Sequence, residues 1–292
     1  MNGSPAKTWS VRNDILDFAS GPVFMGIVNT TPDSFSDGGS LARSREGEFS
    51  VDRDAALDRA LRLEREGAGI LDIGGQSTRP GSERIAPEEE IRRTVPLIQI
   101  LAKKSSLPIS IDTYSAKVAE EACRAGASII NDISAGTFDP DIIEVARKYS
   151  CGIVLSHIKG TPKTMQSAPV YENAVAEIMD FLRERKECCL RAGIKPEMIA
   201  LDPGIGFGKS IEHNLAILEN IGQFHQLGSP ILVGHSRKSF LVHYLPEADK
   251  DLIACKNISD ELTARITYDL FEQKVQIIRV HNVQINRRMI CR

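Results

Sequence analysis

Acidic and amide side chains follow several short apolar runs of the sequence, at the point where each run ends. The polar run ends are Asn29, Asp72, Asp112, Asn131 with Asp132, His157, Asp202, Ser236 with Arg237 and Lys238, and Arg279 with His281. A buried carboxylate is costly unless it is paired. Asp112, Asn131 and Asp202 together suit a heterocycle with adjacent N–H donors, because carboxylates only accept hydrogen bonds. Lys238 would donate to a ring carbonyl; internal ion pairs that form an inert rim are the alternative.

Basic residues in the last quarter of the chain predict an anion site. Arg279 and His281 are two residues apart and therefore lie on one side of a strand. Arg237 and Lys238 end the preceding apolar run, and Arg79 lies in an earlier loop. In a chain whose formal net charge is −3, this local concentration of basic side chains favours a phosphate.

Two loops rich in glycine, proline and serine follow the first two apolar runs, at residues 31–39 and 75–82. Loops of this kind over an active site can close, exclude water and supply binding groups. Asn29, with the loop residue Asp37, would hold a Mg²⁺ ion that bridges phosphate oxygens. Mg²⁺ suits such a site because it takes few protein ligands and keeps waters and substrate phosphate.

The elements that must position these side chains alternate along the whole chain. Runs rich in isoleucine, valine and leucine span residues 23–29, 70–74, 109–112, 129–132, 153–157, 199–202, 231–234 and 277–281. They are typical of buried parallel strands, and amphipathic segments between them, such as 54–66 and 174–192, are typical of covering helices. The pattern predicts an α/β fold, one (β/α)8 TIM barrel over residues 1–292 with a core of about 20–285. A doubly wound open sheet is the alternative.

Composition argues against several classes of function. The net charge of −3 favours neither nucleic acid nor an anionic membrane as a partner. The first residues lack the apolar core of a signal peptide, and no apolar run approaches the roughly 18 residues of a membrane span. We therefore expect a cytoplasmic protein. Six cysteines without a Cys-x-x-Cys spacing predict free thiols, and residues 202–210 fail the spacing of both the Walker A loop and the dinucleotide-binding loop.

Seven motifs along the chain carry a resemblance to a known family. They are MGIVNTTPDSFSDGG at residues 25–39, GQSTRPG at 75–81, SIDT at 110–113, IIND at 129–132, DPGIGFGK at 202–209, SRKS at 236–239 and RVH at 279–281. In sequence and in order they resemble the signatures of the dihydropteroate synthases, a pterin-binding barrel family of folate biosynthesis that sulfonamides target. The resemblance spans residues 25–281.

The resemblance implies a homodimeric transferase, alone or as a module of a longer folate-pathway polypeptide. Such an enzyme joins 4-aminobenzoate to 6-hydroxymethyl-7,8-dihydropterin diphosphate and releases pyrophosphate with Mg²⁺ present. It would bind the pterin through Asp112, Asn131, Asp202, Phe207, Gly234, Arg237 and Lys238, the diphosphate through Thr78, Arg79, Arg279 and His281, the metal through Asn29, and 4-aminobenzoate through Phe35, Pro80 and Ser239. The resemblance gives the catalytic roles to Asp112, Lys238, Arg279 and His281, without a protein nucleophile.

Four residues depart from the pattern of the family. Gln76 stands where Glu is common, Ser156 where Met often lines the pterin pocket, His235 where a smaller or apolar residue is usual, and Asn282 where Asp is common. Only residues 282–292 follow the last strand, which predicts a closing helix that is short or missing.

Two other functions stay open. One is a pterin-binding paralogue without synthase activity. The other is a methyltetrahydrofolate-dependent corrinoid methyltransferase, which shares the barrel and the pterin pocket but leaves the anion site at Arg279 and His281 unexplained, because its substrate carries no diphosphate.

Overall fold

A computed structural model describes residues 3–31, 42–45 and 48–291 of the chain. The strands are β1 Thr8–Val11, β2 Asp14–Asp17, β3 Val23–Asn29, β4 Ala42–Arg45, β5 Glu48–Val51, β6 Ile70–Gly74, β7 Ile109–Asp112, β8 Ile129–Asp132, β9 Gly152–Ser156, β10 Ile199–Asp202, β11 Leu232–Val233 and β12 Ile277–Val280. The helices are α1 Arg53–Arg65, α2 Pro87–Lys104, α3 Ala116–Ala125, α4 Asp141–Tyr149, α5 Ala174–Arg191, α6 Ile211–Glu219, α7 Lys256–Glu272 and α8 Val283–Ile290. Short 3₁₀ segments span Pro196–Met198, Ile221–Leu227, Ser239–Tyr244 and Glu247–Ala254.

Eight of these strands form one parallel sheet in the order β10-β9-β8-β7-β6-β3-β12-β11. The two ends of this sheet meet at a parallel bridge between Leu201 and Ile231. There the Leu201 amide donates to the carbonyl of Pro230 at 2.9 Å. The sheet is therefore a closed barrel, which confirms the predicted (β/α)8 fold and rejects the open doubly wound alternative. All eight predicted strands agree with the observed ones to within one residue at each end.

The helices lie outside the barrel and bury an apolar face against it. The two predicted covering helices agree with α1 and α5 to within one residue. The closing helix α8 is present and has only eight residues, so the prediction of a short helix is confirmed and that of a missing one is wrong. It begins where the Asn282 side chain accepts a hydrogen bond from the Ile285 amide at 3.2 Å. None of the described helices has the length and hydropathy that a membrane span needs.

An N-terminal hairpin, β1–β2, which the sequence pattern did not predict, closes the bottom of the barrel. Trp9 and Val11 are fully buried there, and the Trp9 indole donates to the Met198 carbonyl at 3.0 Å. They pack with an inner layer of apolar side chains formed by Met25, Ile70, Ile129, Val154, Ala200, Leu232 and Ile277. This layer fills the lower barrel, so a binding site is confined to the carboxyl ends of the strands.

A second layer of side chains lies directly above the apolar one. Side chains alternate along a strand, so the residue two positions further on faces the same side. Two positions beyond Ile70, Ile129, Val154, Ala200 and Ile277 stand Asp72, Asn131, Ser156, Asp202 and Arg279. With Asp112 they form what we call the polar ring (Asp72, Asp112, Asn131, Ser156, Asp202 and Arg279).

Candidate active site

Arg279 joins two carboxylates of the polar ring. Its Nε donates to Asp72 Oδ2 at 2.6 Å and its Nη2 donates to Asp112 Oδ2 at 2.6 Å. The Asn131 amide also donates to Asp72 Oδ2, at 3.3 Å. Burial raises the pKa of Asp112 to about 7, against the opposing charge of Arg279. The guanidinium thus pairs with two buried carboxylates at once, which offsets the cost of burying them.

Asp72 is a site residue that sequence reasoning missed. It is one of the polar run ends, but nothing in its position between apolar residues in the middle of β6 links it to Arg279, 207 residues away. The side chain is fully buried and its Oδ1 has no hydrogen-bond partner among the described residues. With Asp112 and Asp202, it gives the polar ring three carboxylates and one guanidinium, a surplus of acceptors. The surplus suits a ligand that offers N–H donors.

Asp202 lies on the other side of the ring and accepts two hydrogen bonds. The Ser156 hydroxyl donates to Oδ2 at 3.0 Å and the Gly204 amide donates to Oδ1 at 2.7 Å. Burial raises the pKa of Asp202, and Lys238 opposes this effect. Gly204 has a φ of +70°, and a Cβ there would meet the His157 carbonyl oxygen at 1.9 Å, so this turn requires glycine.

Lys238 extends over the loop that follows Asp202. Its Nζ lies 4.1 Å from the centre of the Phe207 ring and donates to the Ile205 carbonyl. Burial lowers the pKa of Lys238 to about 8, against the opposing charge of Asp202. At neutral pH the ammonium is therefore mostly protonated and can donate to an acceptor in the cleft.

His281 does not provide the positive charge that the sequence suggested. Burial, with the charges of Arg237 and Arg279, lowers its pKa well below the usual value, so the ring is neutral. Its backbone amide donates to Ser236 Oγ at 3.2 Å, and the Ser236 hydroxyl faces His281 Nδ1 at 3.0 Å. In the tautomer in which the hydroxyl donates to Nδ1, the ring proton lies on Nε2. His281 can act as a neutral donor to an anion.

Arg237 is paired with an acid of α7. Its Nε and Nη2 donate to the two carboxylate oxygens of Asp260 at 2.7 and 3.0 Å. The Asn282 amide donates to Asp260 Oδ2 at 3.1 Å, while its oxygen caps α8. A carboxylate at position 282 would lack this donor, so the pairing explains the asparagine. Arg237 is thereby held at the wall of the cleft.

The cleft above the polar ring has a volume of about 460 Å³. Twelve of the predicted site residues line it: Asn29, Thr78, Arg79, Pro80, Asp112, Phe207, Gly234, Arg237, Lys238, Ser239, Arg279 and His281. Asn131 and Asp202 lie beneath it and are only 3% and 6% exposed. Phe35 and Asp37 lie outside the described residues.

Asn29 lies next to the polar ring. Asn29 Oδ1 and Asp112 Oδ2 lie 3.4 and 3.6 Å from the point that a Cβ at Gly74 would occupy, so glycine leaves this space open. The amide oxygen suits a Mg²⁺ ion, which prefers oxygen ligands and needs few from the protein. The described residues contain no cluster of three histidine, cysteine or acidic side chains for a metal, so a ligand would have to provide most of the coordination.

Two further departures from the family pattern have structural explanations. Gln76 donates to the Tyr114 hydroxyl and accepts from the Ile85 amide at 3.3 Å, and an ionised glutamate could not donate. His235 is fully buried, and its Nε2 donates to the Thr263 carbonyl at 2.9 Å. Burial lowers the pKa of His235 to about 4. His235 is thus a neutral core residue that joins β11 to α7.

Comparison with known proteins extends the resemblance to the whole barrel. A family model described as pterin binding enzyme matches residues 25–281. The dihydropteroate synthase of Synechocystis sp. is 44% identical over 82% of this chain and 80% of its own. That of Haemophilus influenzae is 39% identical over 96% and 95%. The chain belongs to the dihydropteroate synthase family.

Solved structures of dihydropteroate synthases have the same fold. The enzyme of Yersinia pestis, in a sulfonamide drug complex, is 37% identical with a TM-score of 0.84, and the match covers 97% of both chains. The enzyme of Xanthomonas albilineans in complex with 7,8-dihydropteroate is 33% identical with a TM-score of 0.81, over 97% of this chain and 96% of the other. Membership in the dihydropteroate synthase family makes the chain a transferase of folate synthesis.

Proposed function

We propose that the protein condenses 6-hydroxymethyl-7,8-dihydropterin diphosphate with 4-aminobenzoate to give 7,8-dihydropteroate and pyrophosphate. The polar ring carries this proposal, because it combines three carboxylates and an amide around one guanidinium beneath an open cleft. An N–H-rich heterocycle fits such a floor. Related structures hold 4-aminobenzoate and 7,8-dihydropteroate, which supports both substrates.

Four residues are proposed to bind and polarise the pterin. Asp112 and Asp202 accept from ring N–H groups, Asn131 both donates and accepts, and Lys238 donates to the ring carbonyl. Phe207 and Arg237 line the walls, and Gly234 leaves space for the flat ring. Positive charge develops on the pterin as the diphosphate leaves, and the two carboxylates stabilise that charge.

The diphosphate end of the cleft is assigned to Thr78, Arg79, Arg279 and His281. Arg279 carries positive charge and His281 offers Nε2–H, so both can hold the leaving group as its negative charge grows. Asn29, with Asp37, is proposed to hold a Mg²⁺ ion. When bound, that ion would neutralise charge on the diphosphate oxygens.

The second substrate is assigned to the outer part of the cleft, with Phe35, Pro80 and Ser239. The neutral amine of 4-aminobenzoate attacks the methylene carbon as the carbon–oxygen bond to the diphosphate breaks, and the amine then loses a proton. No protein nucleophile is required. The loops at residues 31–39 and 75–82 are proposed to exclude water, which would otherwise capture the developing cation. We further propose that the chain acts as a single domain, in the cytoplasm, as a homodimer.

Pyrophosphate release tests the proposed function. We expect release from the pterin diphosphate only when both 4-aminobenzoate and Mg²⁺ are present. Binding of the pterin diphosphate without release would favour the paralogue that lacks synthase activity. Absence of binding would refute the pterin site, and binding of methyltetrahydrofolate alone would favour the methyltransferase.

A further inference from the structure

Ser156 is a member of the polar ring to which the proposed reaction assigns no task. It ends β9 and is only 1% exposed. In the parallel pairing of β9 with β10, it is the register partner of Asp202. The backbones of two hydrogen-bonded strands therefore hold the two side chains side by side.

The contact between these side chains fixes the orientation of the Asp202 carboxylate. Ser156 Oγ donates to Oδ2 at 3.0 Å, and the Gly204 amide donates to Oδ1 at 2.7 Å. Two donors on two different oxygens restrict rotation of the carboxylate plane. They also leave the remaining lone pairs of both oxygens available to a ligand.

We propose that Ser156 is a positioning residue that holds Asp202 in the orientation required by the N–H donors of the pterin. The inference rests on the proposed function. It makes the hydroxyl a determinant of pterin specificity, because a carboxylate that can rotate distinguishes less well between a ring edge with N–H donors and one without them.

The charges around Asp202 support a test by pH. Three basic side chains face Asp202: Lys238 from the loop after β11, Lys209 from the loop after β10, and Arg279 from β12. His157, which follows Ser156, stays neutral because burial lowers its pKa to about 2. The Ser156 hydroxyl favours the ionised form of Asp202, so its removal raises the pKa of this acid. Pterin binding should then weaken further as the pH falls.

The test compares Ser156→Ala with Ser110→Ala. Ser110 is another fully buried serine of the barrel interior, on β7, and its hydroxyl has no hydrogen-bond partner among the described residues. Binding of 6-hydroxymethyl-7,8-dihydropterin diphosphate, without 4-aminobenzoate, is measured by calorimetry between pH 6 and 9. For Ser156→Ala we expect Kd to rise about fivefold to tenfold at pH 8, and more at pH 6. For Ser110→Ala we expect no change.

Three outcomes would overturn the inference. If Ser156→Ala binds the pterin diphosphate with a Kd within twofold of the parent value at every pH, the hydroxyl does not position Asp202. If Ser110→Ala loses as much affinity for the pterin diphosphate as Ser156→Ala, the loss comes from removing any buried serine hydroxyl. If the loss of affinity in Ser156→Ala is the same at every pH, Ser156 has a packing role alone. If the parent protein itself fails to bind the pterin, the proposed function fails, and the inference fails with it.

Discussion

Asp112→Asn is the substitution that separates the charge of the polar ring from its shape. The change keeps the size of the side chain and replaces one acceptor oxygen with a donor. Arg279 keeps its bond to Asp72 at 2.6 Å, so its guanidinium stays partly neutralised. The side chain of Asp112 is only 11% exposed, so water cannot replace the lost acceptor. We therefore expect a catalytic defect in a folded protein.

The size of the defect follows from one charge-assisted hydrogen bond. Such a bond contributes about 1.5–3 kcal/mol, and each 1.36 kcal/mol is a factor of ten in rate. We expect kcat/KM for the pterin diphosphate to fall by about 10- to 150-fold. Steady-state pyrophosphate release measures the value, and circular dichroism melting verifies the fold.

The pH dependence gives the same prediction a second readout. Burial raises the pKa of Asp112 to about 7. A protonated carboxyl has lost its charge, so kcat/KM of the parent protein should fall as the pH decreases through 7. The Asn variant should lack the part of this decrease that comes from Asp112. Asp132→Asn is a matched control, since Asp132 ends the neighbouring strand and accepts from the Ser134 amide instead of facing the cleft.

Two results would refute the reasoning on Asp112. One is a value of kcat/KM for Asp112→Asn within threefold of the parent protein. The other is an equal loss in Asp132→Asn, which would attribute the defect to the fold and not to the ring.

Three further predictions concern stability, the cleft wall and the metal. Burial raises the pKa of Glu90 to about 7. Between the ordinary pKa of a glutamate and 7, the folded protein therefore binds more protons than the unfolded protein, and the free energy of unfolding falls as the pH rises. Glu90→Gln lacks this titration, so its free energy of unfolding relative to that of the parent protein should increase by about 3 kcal/mol from pH 4 to pH 8 in urea unfolding; a difference between the two proteins that does not change with pH would contradict this. Asp260→Asn should lower the free energy of unfolding by about 2 kcal/mol, because Arg237 loses a two-point ion pair; an unchanged urea midpoint would exclude that pairing. Chelation should abolish pyrophosphate release, and Asn29→Ala should raise the Mg²⁺ concentration for half-maximal activity on the order of tenfold; full activity in the chelator would remove Mg²⁺ from the mechanism.

The barrel was predictable because its signal is local. Each strand is a short run that is apolar on both faces, so hydropathy alone locates all eight. The N-terminal hairpin was missed because its strands have four residues each, and Trp9 is buried only through contact with distant parts of the barrel such as Met198. Nothing in the local pattern of residues 8–17 indicates that contact.

The residue types of the site were predictable, and their pairings were not. Asp112 and Arg279 were expected to bind different parts of a substrate, yet they contact each other across 167 residues. Asp260 gave no sequence signal, although it holds Arg237. The protonation state of His281 follows from burial and neighbouring guanidiniums, which only the three-dimensional structure supplies.

The central claim is that the polar ring and the cleft above it join the pterin, through its methylene carbon, to the amine of 4-aminobenzoate. It is tested most directly by measuring 7,8-dihydropteroate and pyrophosphate in one reaction with both substrates and Mg²⁺. We predict that the two products appear in equal amounts and that neither forms without 4-aminobenzoate. Pyrophosphate without dihydropteroate would show hydrolysis in place of transfer, and the absence of both products would contradict the proposed function.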